Sequence, residues 1–455
     1  MVTHTLALAL WLAAQPPVQA QEIDYQIYTD APRLLLNQRR LRLLKRERER
    51  ESIRWQQFDA LMRGRARMSE PGFALALWAT VAGQPGACRE AAEWAAKANP
   101  ADPAELRQIA LVYDWCQAQA GEALTQMMAR KLASVLSARS VGPREVRSLV
   151  FAAMALADAE PRASEAALHF AVEGWWLARI VPEIRRGANP FPSREDLYAM
   201  TEFLHVVRDN LRADLRESLA QWFQELPPLL LLSYYPHPWP APENEYRIPA
   251  YWTPGDPDLR EAVFSRATEF ALVSYDPNAQ PHQFLQGWLM IDRFLMRGEL
   301  GIPYEFLWAN PYQPGLSFTY MPDVFHAGGK LLVRSGWDED ASWFGLWDGR
   351  AQLFTAGKRI LVRPEAQPRP LALGPVKVFF APGGMRFETG WLPPPEEGER
   401  SVEEVAFVVG LEPDMQYEVE VDGEEMFETR SDPGGILELR FLPGRKSPVL
   451  IRPSR

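Results

Sequence analysis

Residues 233–251, SYYPHPWPAPENEYRIPAY, hold the densest group of chemically able side chains in this 455-residue chain. Tyr234, Tyr235, His237, Asn244, Glu245, Tyr246 and Arg247 stand with Trp239 on one proline-studded stretch. Tyr and His take or give protons, Asn and Arg carry donors that grip a carboxylate, and Trp presents a flat apolar face. The competing reading is that the aromatic rings pin an irregular loop to the body and the polar groups cap backbone. Nine prolines between 227 and 258, Pro227 and Pro228 first among them, exclude a continuous helix or a central strand there. A long ordered loop is the expectation.

Single residues elsewhere add candidates. Asn189 lies in the break GANPFP, residues 187–192, just before a helix capped by Ser193. Tyr198 and His205 are seven residues apart, two helical turns, and share a face that is equally a core face. His326 precedes Gly328 and Gly329 at the start of a strand pattern. No HExxH, no CxxC pair, no acidic calcium loop and no P-loop or dinucleotide fingerprint occurs, so neither a metal nor a cofactor is expected.

The elements that must position these residues change character at residues 325–349, FHAGGKLLVRSGWDEDASWFGLWDG. Before this stretch apolar residues recur at helical spacing, and helix-and-turn units are expected over 73–81, 87–98, 103–118, 122–138, 143–157 and 164–181. Further helices are expected after Ser193 and over 213–226, 259–273 and 283–297, with residues 303–322 as an aromatic connector. Beyond it, short alternating runs broken by Gly, Pro and Asp predict strands, among them 405–409, 417–421, 425–429, 437–441 and 449–451. The expected fold is an α+β chain: an α/α toroid of helical hairpins, then an antiparallel β-sandwich region. Its expected divisions are a signal peptide to residue 20, a toroid over 21–322, a sheet domain over 323–392 and a terminal strand module over 393–455. Any site between the halves should lie near the junction.

The first twenty residues carry no Lys, Arg, Asp or Glu, and their apolar run is too short to span a bilayer. A cleaved signal and an exported protein, with no membrane span afterwards, are the expectation. Export permits a disulfide, and Cys88 and Cys116 fall on neighbouring ends of an antiparallel helical hairpin. Net charge is −10, which argues against nucleic acid as a partner. Yet residues 33–67 hold twelve bases against four acids, and residues 396–455 hold fifteen acids against seven bases. The basic run is either a solvated helix face or a docking surface for an anionic polymer.

Three patches resemble heparinase II/III-like polysaccharide lyases, in that family's order: APRLLLNQRRLRLL from Ala31, Leu111-Val112-Tyr113-Asp114-Trp115, and LLVRSGWDEDASWFGLWDG from Leu331. The resemblance implies a toroid followed by a β-sandwich and β-elimination on a uronate-containing anionic polysaccharide. In that chemistry Tyr246 or Tyr235 would be the base, His237 acid or base, and Asn244 and Arg247 the carboxylate clamp. Trp239, Asn189, Tyr198, His205 and His326 would contact substrate. One departure is plain: residues 350–364, RAQLFTAGKRILVRP, lack the family's His-x-His segment, and no histidine follows His326. The alternative is therefore a catalytically reduced toroid protein that binds anionic glycan or serves as an envelope scaffold. A glycosidase would instead need two carboxylates facing across a cleft, with Glu243, Glu245, Asp256 and Asp258 as candidates.

Overall fold

The computed structural model describes residues 23–239, 247–291, 297–364, 367, 369–380, 385–396 and 401–454. The helical part comprises α1 (Gln38–Glu49), α2 (Ile53–Arg63), α3 (Pro71–Ala82), α4 (Pro85–Lys97), α5 (Pro103–Ala120), α6 (Glu122–Ala133) and α7 (Pro143–Ala155). It continues with α8 (Pro161–His169), which runs through a π-helical stretch into α9 (Val181–Arg185), then α10 (Arg194–Leu211), α11 (Ala220–Leu232), α12 (Leu259–Tyr275), α13 (Gln280–Ile291) and α14 (Gly298–Trp308). Pro stands in the first turn of α3, α4, α5, α7 and α8. There its missing N–H is no loss and its fixed φ suits the helix.

Helices α3, α5, α7, α10, α12 and α14 pack each on the next, and α14 returns to α2 and α3, closing a ring. Helices α4, α6, α8, α11 and α13 lie against the outside of this ring. Inner helices such as α10 and α12 are buried over most of their length. The α12 sequence accordingly shows no single apolar stripe. Four ring helices meet in a buried ion network: Glu202 of α10 binds Arg107 of α5 at 2.6 Å and Arg147 of α7 at 2.9 Å. Arg107 also reaches Glu70 at 3.1 Å, which accepts the Tyr304 hydroxyl of α14 at 2.7 Å. Cys88 and Cys116 are bonded across α4 and α5, with Cα atoms 5.2 Å apart.

Two sequence expectations give way here. Helix α11 continues through Pro227 and Pro228 to Leu232. The prolines remove two ladder donors, but burial of Leu226, Leu230, Leu231 and Leu232 against the ring outweighs that loss. Likewise α14 contains Pro303 and places Tyr304, Phe306, Leu307 and Trp308 in the core, so the aromatic connector begins only after residue 308.

The β part has strands β1 (Val324–Ala327), β2 (Lys330–Arg334), β3 (Trp343–Trp347), β4 (Arg350–Thr355), β5 (Lys358–Val362), β6 (Leu371–Leu373), β7 (Val376–Phe380) and β8 (Met385–Glu388). It ends with β9 (Glu404–Val409), β10 (Gln416–Val421), β11 (Glu425–Arg430), β12 (Ile436–Phe441) and β13 (Pro448–Pro453). The first sheet is the antiparallel meander β1-β2-β3-β4-β5; the others run β12-β9-β7-β6 and β11-β10-β13-β8. Pairing is antiparallel except between β7 and β9. The sheets mix strands from both sides of residue 393, since β7 pairs with β9 and β8 with β13.

The layers stack behind the ring. Leu332, Trp343 and Phe354 of the first sheet join the helical core, while Leu331, Val333 and Phe344 face the second sheet. In the second sheet Phe407 and Val409 face back, and Ala406 and Val408 face the third sheet. Period-two alternation sends successive residues to opposite faces. A strand read as apolar throughout is thus one covered on both sides.

Candidate functional site

The ring meets the first sheet at a cleft. Its helical wall is the 187–193 break before α10, the length of α11 and the start of α12; its other wall is the ring-facing side of β1 to β3. Two hollows of about 610 and 500 Å³ share Ala188, Trp222, Leu226, Leu229 and Lys330, and so form one trough.

Aromatic surface lines it. The Trp252 and Trp347 rings lie 4.3 Å apart, one from the loop after α11 and one from β3. The Trp252 indole N–H is buried without a hydrogen-bond partner. Trp222 stands where the two hollows join, 6.2 Å from Phe191. Lys330, the first residue of β2, lines both hollows, and among the described residues its ammonium makes no hydrogen bond or ion pair. Arg194 opens α10, donates to Ser233 Oγ at 3.2 Å, and gives its backbone N–H to Glu261 at 2.8 Å. Burial raises the Glu261 carboxyl above its ordinary range, against the pull of that N–H and of the Arg194 charge. Asp258 caps α12 through the Arg260 N–H at 2.8 Å. The trough thus joins large rings, one cation without an ion pair among the described residues, and several acids and donors.

Compared with models of known protein families and with curated proteins, the chain matches none.

The proline-rich stretch works mainly as a staple. Trp343 donates to Leu232 O at 2.7 Å and Arg334 to Tyr234 O at 3.0 Å. Tyr235 donates to Gln352 at 2.6 Å, and Gln352 and Arg359 both donate to Tyr251 O at 2.8 Å. Tyr235 is therefore buried, stacked 4.7 Å from Phe354, with burial pushing its phenol up to about 12. It does not face the trough. Tyr234 is likewise buried and bound to Ser265 and Glu269. His237 lies against the β4–β5 turn, where a Cβ at Gly357 would sit 3.7 Å from its ring. Trp239 packs on Ile248 and Ala262, and Arg247 binds Glu339 at 2.9 Å. Asn244 and Tyr246, with Glu243 and Glu245, lie outside the described residues.

Of the remaining candidates, Asn189 lines the trough, and its side chain accepts the Phe191 N–H at 3.1 Å. Tyr198 and His205 share a face, as their spacing predicts, but that face is ring interior. Tyr198 accepts the Trp308 indole N–H at 2.8 Å, and burial with the Arg40 and Arg208 charges holds His205 neutral, well below its usual range. His326 borders the trough with both nitrogens engaged, Nδ1 with Glu438 at 3.0 Å and Nε2 with Asp432 at 3.2 Å. Burial opposes its charge, yet the two carboxylates raise it to about 9.

Lys330, Trp222, Trp252, Trp347, Arg194 and Glu261 were not legible as a group, because they come from five separate segments. The one usable signal was the junction itself, which carries Lys330 and Trp347. Among the described residues no His, Cys, Asp and Glu side chains group to hold a metal, and no helix is long and apolar enough to cross a membrane.

Proposed function

We propose that the trough binds a uronate-containing anionic polysaccharide, with Trp252 and Trp347 as the stacking surface and Lys330 as partner of a sugar carboxylate. The observation that carries this reading is the unengaged Lys330 ammonium beside the Trp252–Trp347 pair. A cation with no ion pair among the described residues, in a half-enclosed aromatic trough, favours an anionic group brought by the ligand. The helical ring followed by stacked sheets is compatible with the heparinase II/III-like resemblance, which supplies the glycan class.

Binding without turnover is the first reading. Tyr235, Tyr198, His205 and His326 are all committed to protein partners, and the His-x-His segment is missing, so none of these four stands as a free proton acceptor beside the trough. Cleavage by β-elimination is the second, and it rests on His237 and Tyr246 of the proline-rich stretch. The two separate in one experiment: the protein is mixed with a panel of uronate polymers, and the ultraviolet absorbance of unsaturated uronate is followed. No absorbance, with salt-sensitive binding of a short uronate oligomer that Lys330→Gln weakens, supports the first reading. Absorbance that falls about a hundredfold or more in Tyr246→Phe or His237→Ala supports the second.

A further inference from the structure

The basic N-terminal run folds as α1, and its charges are sorted by face. Arg40 turns inward over Trp308, 4.0 Å from the ring centroid, and Glu47 turns inward to bind Arg54 at 2.8 Å. Arg39, Arg42, Lys45 and Arg46 point outward, exposed, and make no hydrogen bond or ion pair with any described residue. Glu49, the exposed acid of this helix, lies at its far end, 3.8 Å from Arg48. The outer face is therefore not laced with acids. Residues 39, 42 and 46 follow one another at three and four residues, a single stripe about 10 Å long. Like charges at that spacing oppose helix formation, so the stripe is not explained by the fold.

At the end of α1 an exposed aromatic completes the surface. Arg50 donates to the Tyr312 hydroxyl at 3.1 Å, and Tyr312 is 60% exposed. The location is remote from the trough. Asn37, the cap of α1, donates to Asp209 near the C-terminal end of α10 at 2.7 Å, whereas Arg194 at the other end of α10 lines the trough. The rod between Arg194 and Asp209 is about 22 Å long.

We propose that the outer face of α1, with Tyr312, is a second docking surface for an anionic polysaccharide, separate from the trough and independent of what the trough binds. Guanidinium forks fit carboxylate or sulfate groups two bonds at a time, and an exposed ring beside them suits a sugar face. A lipid surface fits less well: Leu41 and Leu44 of α1 pack on the core, Leu43 is partly buried, and Ile53 is the exposed large apolar residue of the described α1–α2 pair. Nucleic acid fits less well because the whole chain carries −10 and the stripe is short.

The test uses the full chain and polygalacturonate as probe, in the wild type and in a variant combining Arg39→Gln, Arg42→Gln, Lys45→Gln and Arg46→Gln, at low and at physiological salt. A galacturonate trimer and the melting temperature serve as controls for the trough and the fold. The expected result is an affinity for the polymer about tenfold or more weaker in the variant, with a flatter salt dependence, and an unchanged melting temperature. In Lys330→Gln the salt-dependent part of polymer binding should persist, and this holds whether or not the trimer binds. Unchanged polymer affinity and salt slope in the quadruple variant overturns the proposal. So does duplex DNA binding to the wild type as tightly as the polymer.

Discussion

Asp114 Oδ2 accepts the backbone N–H of Leu34 at 2.8 Å, and its neighbour Trp115 returns an indole N–H to Leu34 O at 2.8 Å. The same carboxylate oxygen also takes the Arg33 N–H at 2.8 Å. Two sequence patches about eighty residues apart, the entering APRLLL and the helical YDW, are thus one contact. The entering segment is tied to α5 through its backbone, and Leu34, Leu35 and Leu36 are buried as a result.

Asp114→Ala should leave two buried N–H groups unmet and lower unfolding free energy by roughly 2–4 kcal/mol, read by urea titration. Asp114→Asn keeps an acceptor and should lose less. The pair also makes a pH prediction. Burial pushes the Asp114 carboxyl up to about 7 from 3.8, against the pull of the two N–H bonds and the Arg33 charge. A carboxyl raised in the folded state binds more protons folded than unfolded between those values, so its contribution to stability falls as pH rises through that window. Wild type should lose stability relative to Asp114→Asn from about pH 4 to about pH 7, and the two curves should run parallel above it. Curves parallel across the whole range would contradict the assignment.

Glu202 is the hub of the ring's ion network. Glu202→Ala would leave the Arg107 and Arg147 guanidinium groups buried with too little counter-charge, which costs about 3–5 kcal/mol in comparable sites. Glu202→Gln, which retains the acceptor but not the charge, should fall between. Chemical denaturation reads both, and a loss below about 1 kcal/mol in the alanine variant would show that the network relaxes.

His326 bridges Asp432 and Glu438 and so ties β1 to the β11–β12 turn and β12. Its folded value of about 9 lies above the ordinary 6.5, so the stabilisation it brings is complete below about pH 6.5 and is lost as pH rises through about 9. The melting-temperature gap between wild type and His326→Gln should be widest near pH 6 and close near pH 9.5. A gap that stays constant with pH would mean the imidazole acts by packing alone.

What the sequence made legible follows from local physics. The expected strands 417–421 and 425–429 pair as a hairpin because Asp422 and Gly423 between them adopt positive φ, 61° and 74°. The helical run before the junction and the strands after it were legible for the same kind of reason, periods of 3.6 and 2. The extent of α11 was not, since two prolines read as a helix stop while the leucines that override them act only through tertiary packing. The trough was legible in place but not in membership. Clustering along the chain pointed to Tyr235, which a Gln352 hydrogen bond holds behind the wall, whereas Trp252 and Lys330 meet only after β2 folds against the ring.

The most direct test of the central claim is calorimetric titration of a uronate oligosaccharide, too short to span both surfaces, into wild type, Trp252→Ala and Lys330→Gln. Loss of an aromatic surface worth roughly 0.5–1.5 kcal/mol should weaken binding about two- to tenfold in Trp252→Ala, and loss of a charged hydrogen bond worth about 1.5–3 kcal/mol about tenfold or more in Lys330→Gln. The melting temperature of Lys330→Gln should stay within about 2 °C, since its ammonium has no hydrogen bond or ion pair among the described residues to lose, whereas Trp252→Ala gives up ring contacts with Trp347 and Arg350 and should melt lower while remaining folded. Wild-type affinity in both variants would contradict the trough as the binding site.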